Sequence, residues 1–543
     1  MIEDGLRTAT GALASSVAAN IPVHVVQTFT DVALNATLAL PGPKVVVVPN
    51  GAYTINAPLL VPSQTIVQLQ PQAVLTRNIT GLGLTHAMWQ NSTPSTGNTD
   101  IAILGGQYTT ATTGELFGFT KVTRLRIRDC YGSSISGGDY LMLLSDCVKV
   151  WIEELVHETA DGAPGQDGIH IQGGQKIIIR DCHLETGDDS IALVQDNESP
   201  QNTTDLTDVR ISNCYLKSAS ANGLRVHSGL SQTPSTRAVR RVRVSNCQIV
   251  GGNQANSGAD SYGGIKVFDA NNGGYVTDIW IEGVHVDASA MTTGNGGTAV
   301  SVVGAQRVTL SAVTVATPAG VAYDIEATTD VRLLDCESYG TRGASIPAVT
   351  VAASATSTVT RLQIRGGHYT GATAEGLNLG GASNVVNVLL EGVQVDNAGT
   401  DGVVIDNGAV VGGTGVIISA CQSVLNAGYG VRVKGGCTGV MVLDNTLTGN
   451  STGAFTDAGT ATVRARNRLS VSGTMQGQAT LAAGTVTVST GEVSGADNIQ
   501  LTVLALGGVP GALSIGTITG GTSFVINSSS LTDTSTVFWV IVH

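Results

Sequence analysis

Charged residues, aromatic residues and long apolar runs are all scarce in this chain of 543 residues. Only 13% of the residues are charged and 4% are aromatic, and the formal net charge is −13. A negatively charged chain lacks the basic surface that nucleic acid requires, so we expect no nucleic-acid partner. No stretch reaches the roughly 18 apolar residues that span a bilayer, so we expect no membrane partner either.

Two further absences concern the ends of the chain. The first residues lack the basic start and apolar core of a signal peptide, which predicts a chain that stays inside, has lost its signal or is released by lysis. Residues 469–543 contain no Lys, Arg or Cys and alternate like β strands. Their apolar end, Phe538–Val542, fits either a last strand buried in its own sandwich or an oligomer interface.

Glycine and β-forming residues are what the chain has in abundance. It contains 69 Gly, and Val, Ile, Thr, Ser and Asn are frequent, a composition that favours strands and turns. A hydrophobic fraction of 42% excludes general disorder. The length exceeds what one compact core supports, which predicts several domains or a repeat architecture.

A loose repeat is present. Six elements, IRDC, IRDC, ISNC, VSNC, LLDC and ISAC, end on Cys130, Cys182, Cys214, Cys247, Cys336 and Cys421. The same slot recurs at Leu155, Val284, Val313, Gly367, Val393 and Thr446, with 23 to 37 residues between successive slots. Such a period predicts a solenoid in which the cysteines stack inside as free, buried thiols.

The predicted fold class is therefore all-β. We expect an N-terminal cap or neck at residues 1–39 and a right-handed parallel β-helix at residues 40–468. A C-terminal β-sandwich-like domain is expected at residues 469–543, where it would support trimerisation.

The repeat also aligns polar residues in columns. Along each strand, apolar residues such as Ile169 and Ile171 should face the core, and the residues between them should face solvent. Just before the strands, one column should contain Asp139, Asp167, Asp189, Asn222 and Gly263, with Asp188 beside Asp189. The outward columns should contain His170, Ala192, Arg225 and Lys266, and then Gln172, Val194, His227 and Phe268.

Each of these residues alone has a structural explanation, since Asp or Asn before a strand commonly serves a turn. The combination indicates chemistry, because clustered carboxylates repel one another and a turn does not need them together. Close carboxyl groups raise one another's pKa, leaving one protonated as an acid and one ionised as a base. Glycoside hydrolysis requires that pair. Nearby cations and histidines suit sugars, Phe268 could stack on a pyranose ring, and no metal or other cofactor is expected.

Two motifs carry a resemblance. The run Gln166–Ile169 resembles the Asn-Thr-Asp-Gly-Ile element of the polygalacturonase family of inverting glycoside hydrolases, and Gly187–Ala192 resembles its Gly-Asp-Asp-Cys-Ile-Ala element. Gly264–Lys266 is similar to its Arg-Ile-Lys element.

The resemblance implies a role for each matching residue. By this resemblance Asp188 would be the general acid, Asp167 and Asp189 would activate the water, and Lys266 would bind a uronate carboxylate. We expect side chains from adjacent coils to reach the separation of about 6.5–9.5 Å that inverting enzymes use.

The chain departs from the family at its histidine, replaced by Asn222, and at its arginine, replaced by Gly264. Arg225 and His227, one coil away, could substitute, so the substrate is expected to differ from plain pectin. Residues His170, Gln172, Asn222, Arg225, His227, Lys266 and Phe268 are the predicted substrate-binding set.

The C-terminal segment resembles the terminal domains of bacteriophage tailspikes and tail fibres. This implies a homotrimer on a virion tail that degrades a bacterial capsular or lipopolysaccharide glycan, and the alternative location is secreted. Two other functions stay open: a polysaccharide lyase acting by β-elimination, and a non-catalytic adhesin that binds glycan in the same groove.

Overall fold

The computed structural model describes residues 21–135, 140–159, 165–195, 202–229, 235–251, 263–289, 297–351, 358–380, 385–406, 415–469, 475–493, 495 and 497–542. The chain divides into two compact units, residues 1–305 (unit 1) and residues 306–543 (unit 2). Among the described residues, none lies in a helix with the length and apolar character needed to cross a bilayer. The N-terminal part of the predicted cap, residues 1–20, lies outside the described residues.

Unit 1 contains one described helix and 26 strands. In chain order they are β1 (Val23–Val25), α1 (Asp31–Leu38), β2 (Lys44–Val48), β3 (Gly51–Ile55), β4 (Leu59–Val61), β5 (Thr65–Leu69), β6 (Ala73–Arg77), β7 (Trp89–Asn91), β8 (Asn98–Leu104), β9 (Gln107–Thr110), β10 (Phe117–Thr120), β11 (Val122–Arg128), β12 (Tyr131–Ile135), β13 (Met142–Glu153), β14 (Val156–Thr159), β15 (Ile169–Arg180), β16 (His183–Thr186), β17 (Ile191–Gln195), β18 (Leu206–Ser212), β19 (Tyr215–Ser218), β20 (Leu224–Ser228), β21 (Val239–Ser245), β22 (Gln248–Val250), β23 (Ile265–Asp269), β24 (Val276–Glu282), β25 (His285–Asp287) and β26 (Val300–Val303).

Each coil of unit 1 adds one strand to each of three parallel sheets. The first sheet runs through β13, β15, β17, β20, β23 and β26. The second continues from the later halves of β13 and β15 through β18, β21 and β24. The third runs through β14, β16, β19, β22 and β25. Parallel strands joined by such crossovers form a right-handed β-helix, which confirms the predicted fold class for this unit.

Alternating apolar residues build the interior of these coils. Ile169, Ile171, Ile191 and Leu193 are all completely buried, and burying each such side chain stabilises the fold by about 1.5–3 kcal/mol. The strand β15 bends at Gly174, where φ is +104° and an added Cβ would lie 2.1 Å from the carbonyl oxygen of Cys147. Only glycine fits this bend, which turns the chain from the first sheet into the second.

Unit 2 contains 24 strands in its described part. They are β27 (Gln306–Ser311), β28 (Thr314–Ala316), β29 (Tyr323–Glu326), β30 (Thr329–Leu334), β31 (Glu337–Tyr339), β32 (Val349–Val351), β33 (Val359–Arg365), β34 (His368–Thr370), β35 (Leu377–Leu379), β36 (Val385–Glu391), β37 (Gln394–Asp396), β38 (Val403–Ile405), β39 (Val416–Ser419), β40 (Gln422–Val424), β41 (Tyr429–Val433), β42 (Met441–Leu443), β43 (Gly453–Asp457), β44 (Val463–Ala465), β45 (Gln476–Thr480), β46 (Thr485–Ser489), β47 (Asn498–Ala505), β48 (Leu513–Thr519), β49 (Ser523–Ser528) and β50 (Thr536–Val542).

The strands of unit 2 form two kinds of sheet. From β27 to β44 they pair in parallel in the same three-sheet pattern. From β45 onward they are antiparallel, in the orders β45–β50–β47 and β46–β49–β48. The rings of Phe524 and Trp539 meet edge-on at 5.3 Å between these two small sheets. Val537, Trp539 and Ile541 are buried in that core, so the last strand packs inside its own sandwich.

The cysteines occupy the predicted interior positions. All six in the repeated element are free and buried. In unit 1 the cysteine positions stack coil on coil, and backbone hydrogen bonds connect them. The N–H of Tyr215, the residue after Cys214, donates to the carbonyl oxygen of Cys182 at 2.9 Å. The N–H of Gln248, the residue after Cys247, donates to the carbonyl oxygen of Cys214 at 2.9 Å. Cys147 and Cys437, outside the repeated element, are also free and buried.

Candidate active site

A ladder of side-chain oxygens runs along the start of the first sheet in unit 1. Oδ1 of Asp167 accepts the N–H of Asp189, and Oδ1 of Asp189 accepts the N–H of Asn222, both at 3.0 Å. Oδ1 of Asn222 accepts the N–H of Gly263 at 3.0 Å. Each residue therefore connects its own coil to the next, and the ladder fixes the carboxylates of Asp167 and Asp189 in adjacent coils.

The column of residues just before the strands begins with Tyr140, not with the predicted Asp139. The register pairs Met142 with Ile169, which places Tyr140 in the coil before Asp167. The prediction of Asp139 there was wrong by one residue, and Asp139 itself lies outside the described residues. The prediction took Leu141 as the first inward residue of the strand, whereas the pairing begins one residue later.

Asp188 completes a cluster of three carboxyl groups. One oxygen from each of Asp167, Asp188 and Asp189 lies within 4.8 Å of the other two. Oδ2 of Asp188 accepts the N–H of Gly165 at 2.7 Å. The cluster is partly closed to water, because Asp167 and Asp189 are buried and Asp188 is half-buried. Three oxygens this close could also contact a divalent cation, although several lone pairs of Asp167 and Asp189 already accept hydrogen bonds.

The fold holds the three carboxyl groups close together. The hydrogen bonds of the ladder hold the carboxylates of Asp167 and Asp189 against the backbone, and Asp188 is the direct neighbour of Asp189. The limit of 4.8 Å applies to one oxygen of each residue, so the separation of about 6.5–9.5 Å between whole carboxyl groups of an inverting pair stays a prediction.

Burial and mutual repulsion shift the proton affinities of the cluster. Burial, followed by the charges of Asp167 and Asp189, raises the pKa of Asp188 from 3.8 to about 7. Burial also raises the pKa of Asp167, while the hydrogen bond from His170 acts in the opposite direction. Asp188 is thus a carboxyl group whose pKa lies near neutral pH, beside two carboxyl groups that have side-chain partners.

His170 and Gln172 support Asp167 in a hydrogen-bonded chain. Nδ1 of His170 lies 2.6 Å from Oδ2 of Asp167. The amide nitrogen of Gln172 can only donate, and it lies 3.1 Å from Nε2 of His170. Nε2 is therefore the acceptor, and Nδ1 carries the proton that is donated to Asp167. The ring of Tyr140 stacks on His170 at 4.2 Å, a contact that the sequence analysis missed because it placed Asp139 in this column.

Arg225 supports Asp189 in a second chain. Its Nη1 lies 3.3 Å from Oδ2 of Asp189, and its Nε donates to Nδ1 of His227 at 3.0 Å. Burial, with the neighbouring charges of Arg225 and Lys266, lowers the pKa of His227 well below 6.5. His227 is therefore neutral and able to orient the guanidinium group of Arg225.

Lys266 and Phe268 lie one coil beyond Arg225 and His227, as predicted. The ammonium group of Lys266 lies 5.0 Å from the centre of the Phe268 ring. The same ring meets His227 edge-on at 4.8 Å. The ring is thus packed by two polar neighbours and is only half-buried.

The fold brings all ten predicted site residues together on the first sheet, but it buries most of them. His170, Gln172, His227 and Lys266 are no more than 4% exposed, so the expectation that the outward columns face solvent was wrong here. The physical reason is that these side chains pack on one another and on aromatic rings, including Tyr140 above His170. The least buried members are Asp188, Arg225 and Phe268, and these define the accessible part of the site.

Two protein-family models match parts of the chain. Residues 110–257 match glycosyl hydrolases family 28, and residues 473–542 match the C-terminal domain of the K1 capsule-specific polysaccharide lyase. The first match includes the three aspartates and ends before Lys266.

Two proteins of Arabidopsis thaliana are similar over shorter stretches. One is named probable polygalacturonase and is 28% identical over 138 residues, which is 24% of this chain and 28% of that protein. The other, polygalacturonase QRT2, is 36% identical over 62 residues, 11% of this chain and 14% of that protein. The chain therefore spans less than a third of the length of either relative.

Solved structures with a similar backbone include a family 28 exopolygalacturonase of Yersinia enterocolitica, with a TM-score of 0.42, 14% identity and coverage of 69% of this chain and 76% of the other. They also include the tailspike of Pseudomonas phage phi297, with a TM-score of 0.44, 10% identity and coverage of 94% and 92%. The sequence matches confirm the predicted resemblance: the segment that carries the three aspartates is similar to the family 28 glycosyl hydrolases.

Proposed function

We propose that the chain hydrolyses the glycosidic bonds of a polysaccharide at the cluster of Asp167, Asp188 and Asp189. The observation that carries the proposal is the raised pKa of Asp188, about 7, within 4.8 Å of two further carboxylates. Glycoside hydrolysis needs one protonated and one ionised carboxyl group beside the same bond. The match of this segment to glycosyl hydrolases family 28 supports the same reaction.

In the proposed mechanism Asp188 gives its proton to the glycosidic oxygen as the bond to the anomeric carbon breaks. A water molecule beside Asp167 and Asp189 loses a proton to one of these carboxylates, and its oxygen bonds to the anomeric carbon. Both carboxylates already bind partners, His170 for Asp167 and Arg225 for Asp189. Such fixed groups are suited to orienting water rather than to attacking the sugar, which favours inversion of configuration.

The remaining site residues have proposed roles in binding. Arg225 carries positive charge on the accessible side, Lys266 adds a buried positive charge one coil away, and both suit a uronate or another acidic sugar. Asn222, His170, Gln172 and His227 fix the positions of the charged groups, and Phe268 contributes an apolar edge. Loss of Arg225 or Lys266 is expected to raise KM more than it lowers kcat.

The proposed biological setting is a homotrimeric, tailspike-like depolymerase on a virion tail, acting on a bacterial capsular or lipopolysaccharide glycan. Support comes from residues 473–542, which match a domain of a capsule-specific lyase. The proposed domains are residues 1–39, 40–468 and 469–543, with the last of these supporting the trimer.

The decisive experiment is an Asp188→Asn variant assayed on a panel of purified bacterial polysaccharides. Loss of a general acid typically lowers the rate by a factor of about 10²–10⁴. The variant should therefore release reducing ends more slowly than the wild type by that factor. Asp324→Asn is the matched control, because burial, followed by the charge of Glu326, also raises the pKa of Asp324 to about 7. Asp324 lies in unit 2, outside the cluster, and its variant should keep full activity.

NMR of the freshly released anomer tests the stereochemistry. Inversion is expected, and retention would mean that one aspartate attacks the sugar directly. An Asp188→Asn chain with undiminished activity would remove the proposed site altogether. If neither the wild type nor the variant releases reducing ends above background while both still bind the polysaccharide, the chain is an adhesin.

A lyase is the second candidate, favoured by the match of residues 473–542 to a polysaccharide lyase domain. A lyase would use a base to remove the proton beside a uronate carboxylate, and each cut would leave a carbon–carbon double bond in the product. Ultraviolet absorbance of the digests therefore separates the two reactions. We expect no increase in absorbance while reducing ends accumulate.

A further inference from the structure

The outward face of the second sheet in unit 1 carries a column that the aspartate cluster does not use. The register aligns Trp151 with Ile178, Ile178 with Arg210, Arg210 with Arg243, and Arg243 with Trp280. We call these five residues the arginine track. Neighbouring coils are about 4.8 Å apart, so the track presents two guanidinium groups side by side between apolar and aromatic groups.

The two central arginines have no partner among the described residues. Arg210 and Arg243 are both exposed, and neither makes a hydrogen bond or ion pair within the described part of the chain. Other arginines of the same face are paired with carboxylates, Arg124 with Asp100 and Arg241 with Asp208. Like charges directly opposite each other on a sheet destabilise it. An anion between Arg210 and Arg243 would remove this repulsion.

The aromatic residues indicate what kind of anion fits. The indole of Trp280 is 42% exposed, although it is a large apolar group, and Trp151 at the other end is half-buried. A pyranose ring has an apolar face of C–H groups that packs on an indole ring, and its carboxylate or sulfate groups bind guanidinium in a bidentate manner. A small inorganic anion would use the arginines and leave both indoles uncovered.

We propose that the arginine track binds an anionic polysaccharide strand, at a site separate from the aspartate cluster. The track lies in the second sheet and the cluster at the start of the first, and the bend at Gly173 and Gly174 separates the two within β15. That the ligand is a polysaccharide rests on the proposed function. The proposal deepens that function by naming the substrate class as acidic.

The test is a binding measurement on the full-length chain carrying Asp188→Asn, so that no turnover is required. The probes are polygalacturonate, dextran sulfate and neutral dextran, in affinity electrophoresis at low salt. In this background Arg210→Gln with Arg243→Gln should weaken binding of an anionic polymer about tenfold, because two exposed charge contacts of modest strength are lost. Dextran should bind weakly and equally to both chains. The better anionic probe identifies carboxylate or sulfate as the preferred group.

The matched control is Arg124→Gln with Arg241→Gln, which removes the same charge from the same face but from paired arginines. It should keep most of the binding. Equal loss in both double variants would mean general attraction and would overturn the proposal, as would failure of both anionic polymers to bind. A change in the sedimentation of the Arg210 and Arg243 variant would also overturn it, by making the face a contact between copies of the chain.

Failure of this inference can be distinguished from failure of the proposed function. If hydrolysis requires Asp188 but binding is unchanged when Arg210 and Arg243 are replaced, only the arginine-track proposal is wrong. If binding requires the two arginines but the wild-type chain never releases reducing ends, only the proposed hydrolysis is wrong.

Discussion

Asp188 differs from its two neighbours in the partners of its carboxyl group. Asp167 is bound by an imidazole N–H and Asp189 by a guanidinium group. Asp188 accepts only a backbone N–H, from Gly165, among the hydrogen bonds described. The raised pKa of about 7 therefore belongs to the carboxyl group of the three that has no side-chain hydrogen-bond partner described.

This assignment predicts how activity depends on pH. Asp188 must be protonated to act, and its pKa is about 7, so kcat should be retained below pH 7 and fall about tenfold per unit above it. At low pH the rate should also fall, because the carboxylate that accepts the proton of water must be ionised. Burial raises the pKa of Asp167 above 3.8, so this fall should begin above pH 3.8. A rate that stays constant from pH 6 to pH 9 would contradict the role of Asp188.

The same shift affects stability, and it gives a readout independent of substrate. The folded pKa of Asp188 is raised from 3.8 to about 7, so the folded state binds this proton more tightly than the unfolded state does. The contribution of Asp188 to the free energy of unfolding therefore decreases as pH rises from about 4 to about 7. Asp188→Asn should raise Tm at pH 8 and leave it nearly unchanged at pH 3.5, because the amide remains neutral.

At the scale of the strands, the pairing of an aspartate with an arginine one coil later recurs along the described coils of both units. Asp189 accepts the N–H of Asn222 and contacts Arg225 at 3.3 Å. In unit 2, Asp401 accepts the N–H of Tyr429 at 2.7 Å and contacts Arg432 at 3.3 Å. The pairing is thus a device of the coils that stabilises their stacking, and at Asp189 it lies beside the carboxyl groups of Asp167 and Asp188.

Asp401→Asn is therefore a structural control for Asp189→Asn. Each variant loses an ion pair next to a buried backbone contact, so both should lower the free energy of unfolding, by about 1–3 kcal/mol. Only Asp189→Asn should lose hydrolytic activity. Urea unfolding and a reducing-end assay measure the two effects on the same samples. Equal activity in both variants would reduce Asp189 to a structural role.

The coils show what the sequence could predict and why. Alternation of apolar residues fixed which side chains share a column, so Arg225, Lys266, His227 and Phe268 were aligned correctly. The alternation could not show that the outward columns are buried, because burial depends on contacts such as that of Tyr140 with His170. It also could not locate the start of β13, since Leu141 and Met142 are both apolar and fully or almost fully buried.

At the scale of the whole molecule, the surface of the C-terminal sandwich is unusual. Residues 469–543 contain no Lys or Arg, and their acidic side chains, Glu492, Asp497 and Asp533, are buried. Several large apolar side chains are exposed in the same segment, namely Leu504, Leu506, Val509 and Leu531. A surface with exposed leucine and no charge has little to keep two copies apart.

We therefore predict a homotrimer in which this segment contributes to the contacts. Sedimentation of the wild type should give three times the chain mass of 55.3 kDa. Leu506→Asp with Leu531→Asp should weaken the trimer, because each aspartate would have to be desolvated in the contact. Thr400→Asp with Ser451→Asp, at exposed polar positions of the coils, is the control and should sediment as the wild type does. A monomeric wild type at micromolar concentration would contradict the prediction.

The buried cysteines have a consequence for where the fold can exist. All eight are free, and burial raises the pKa of Cys130 and Cys147 to about 12, so almost no thiolate is available to react at neutral pH. No covalent bond of the fold depends on the redox potential of its surroundings. The same coils are therefore equally stable in a reducing cytoplasm and in an oxidising medium, without an oxidase to complete them or a reductant to protect them.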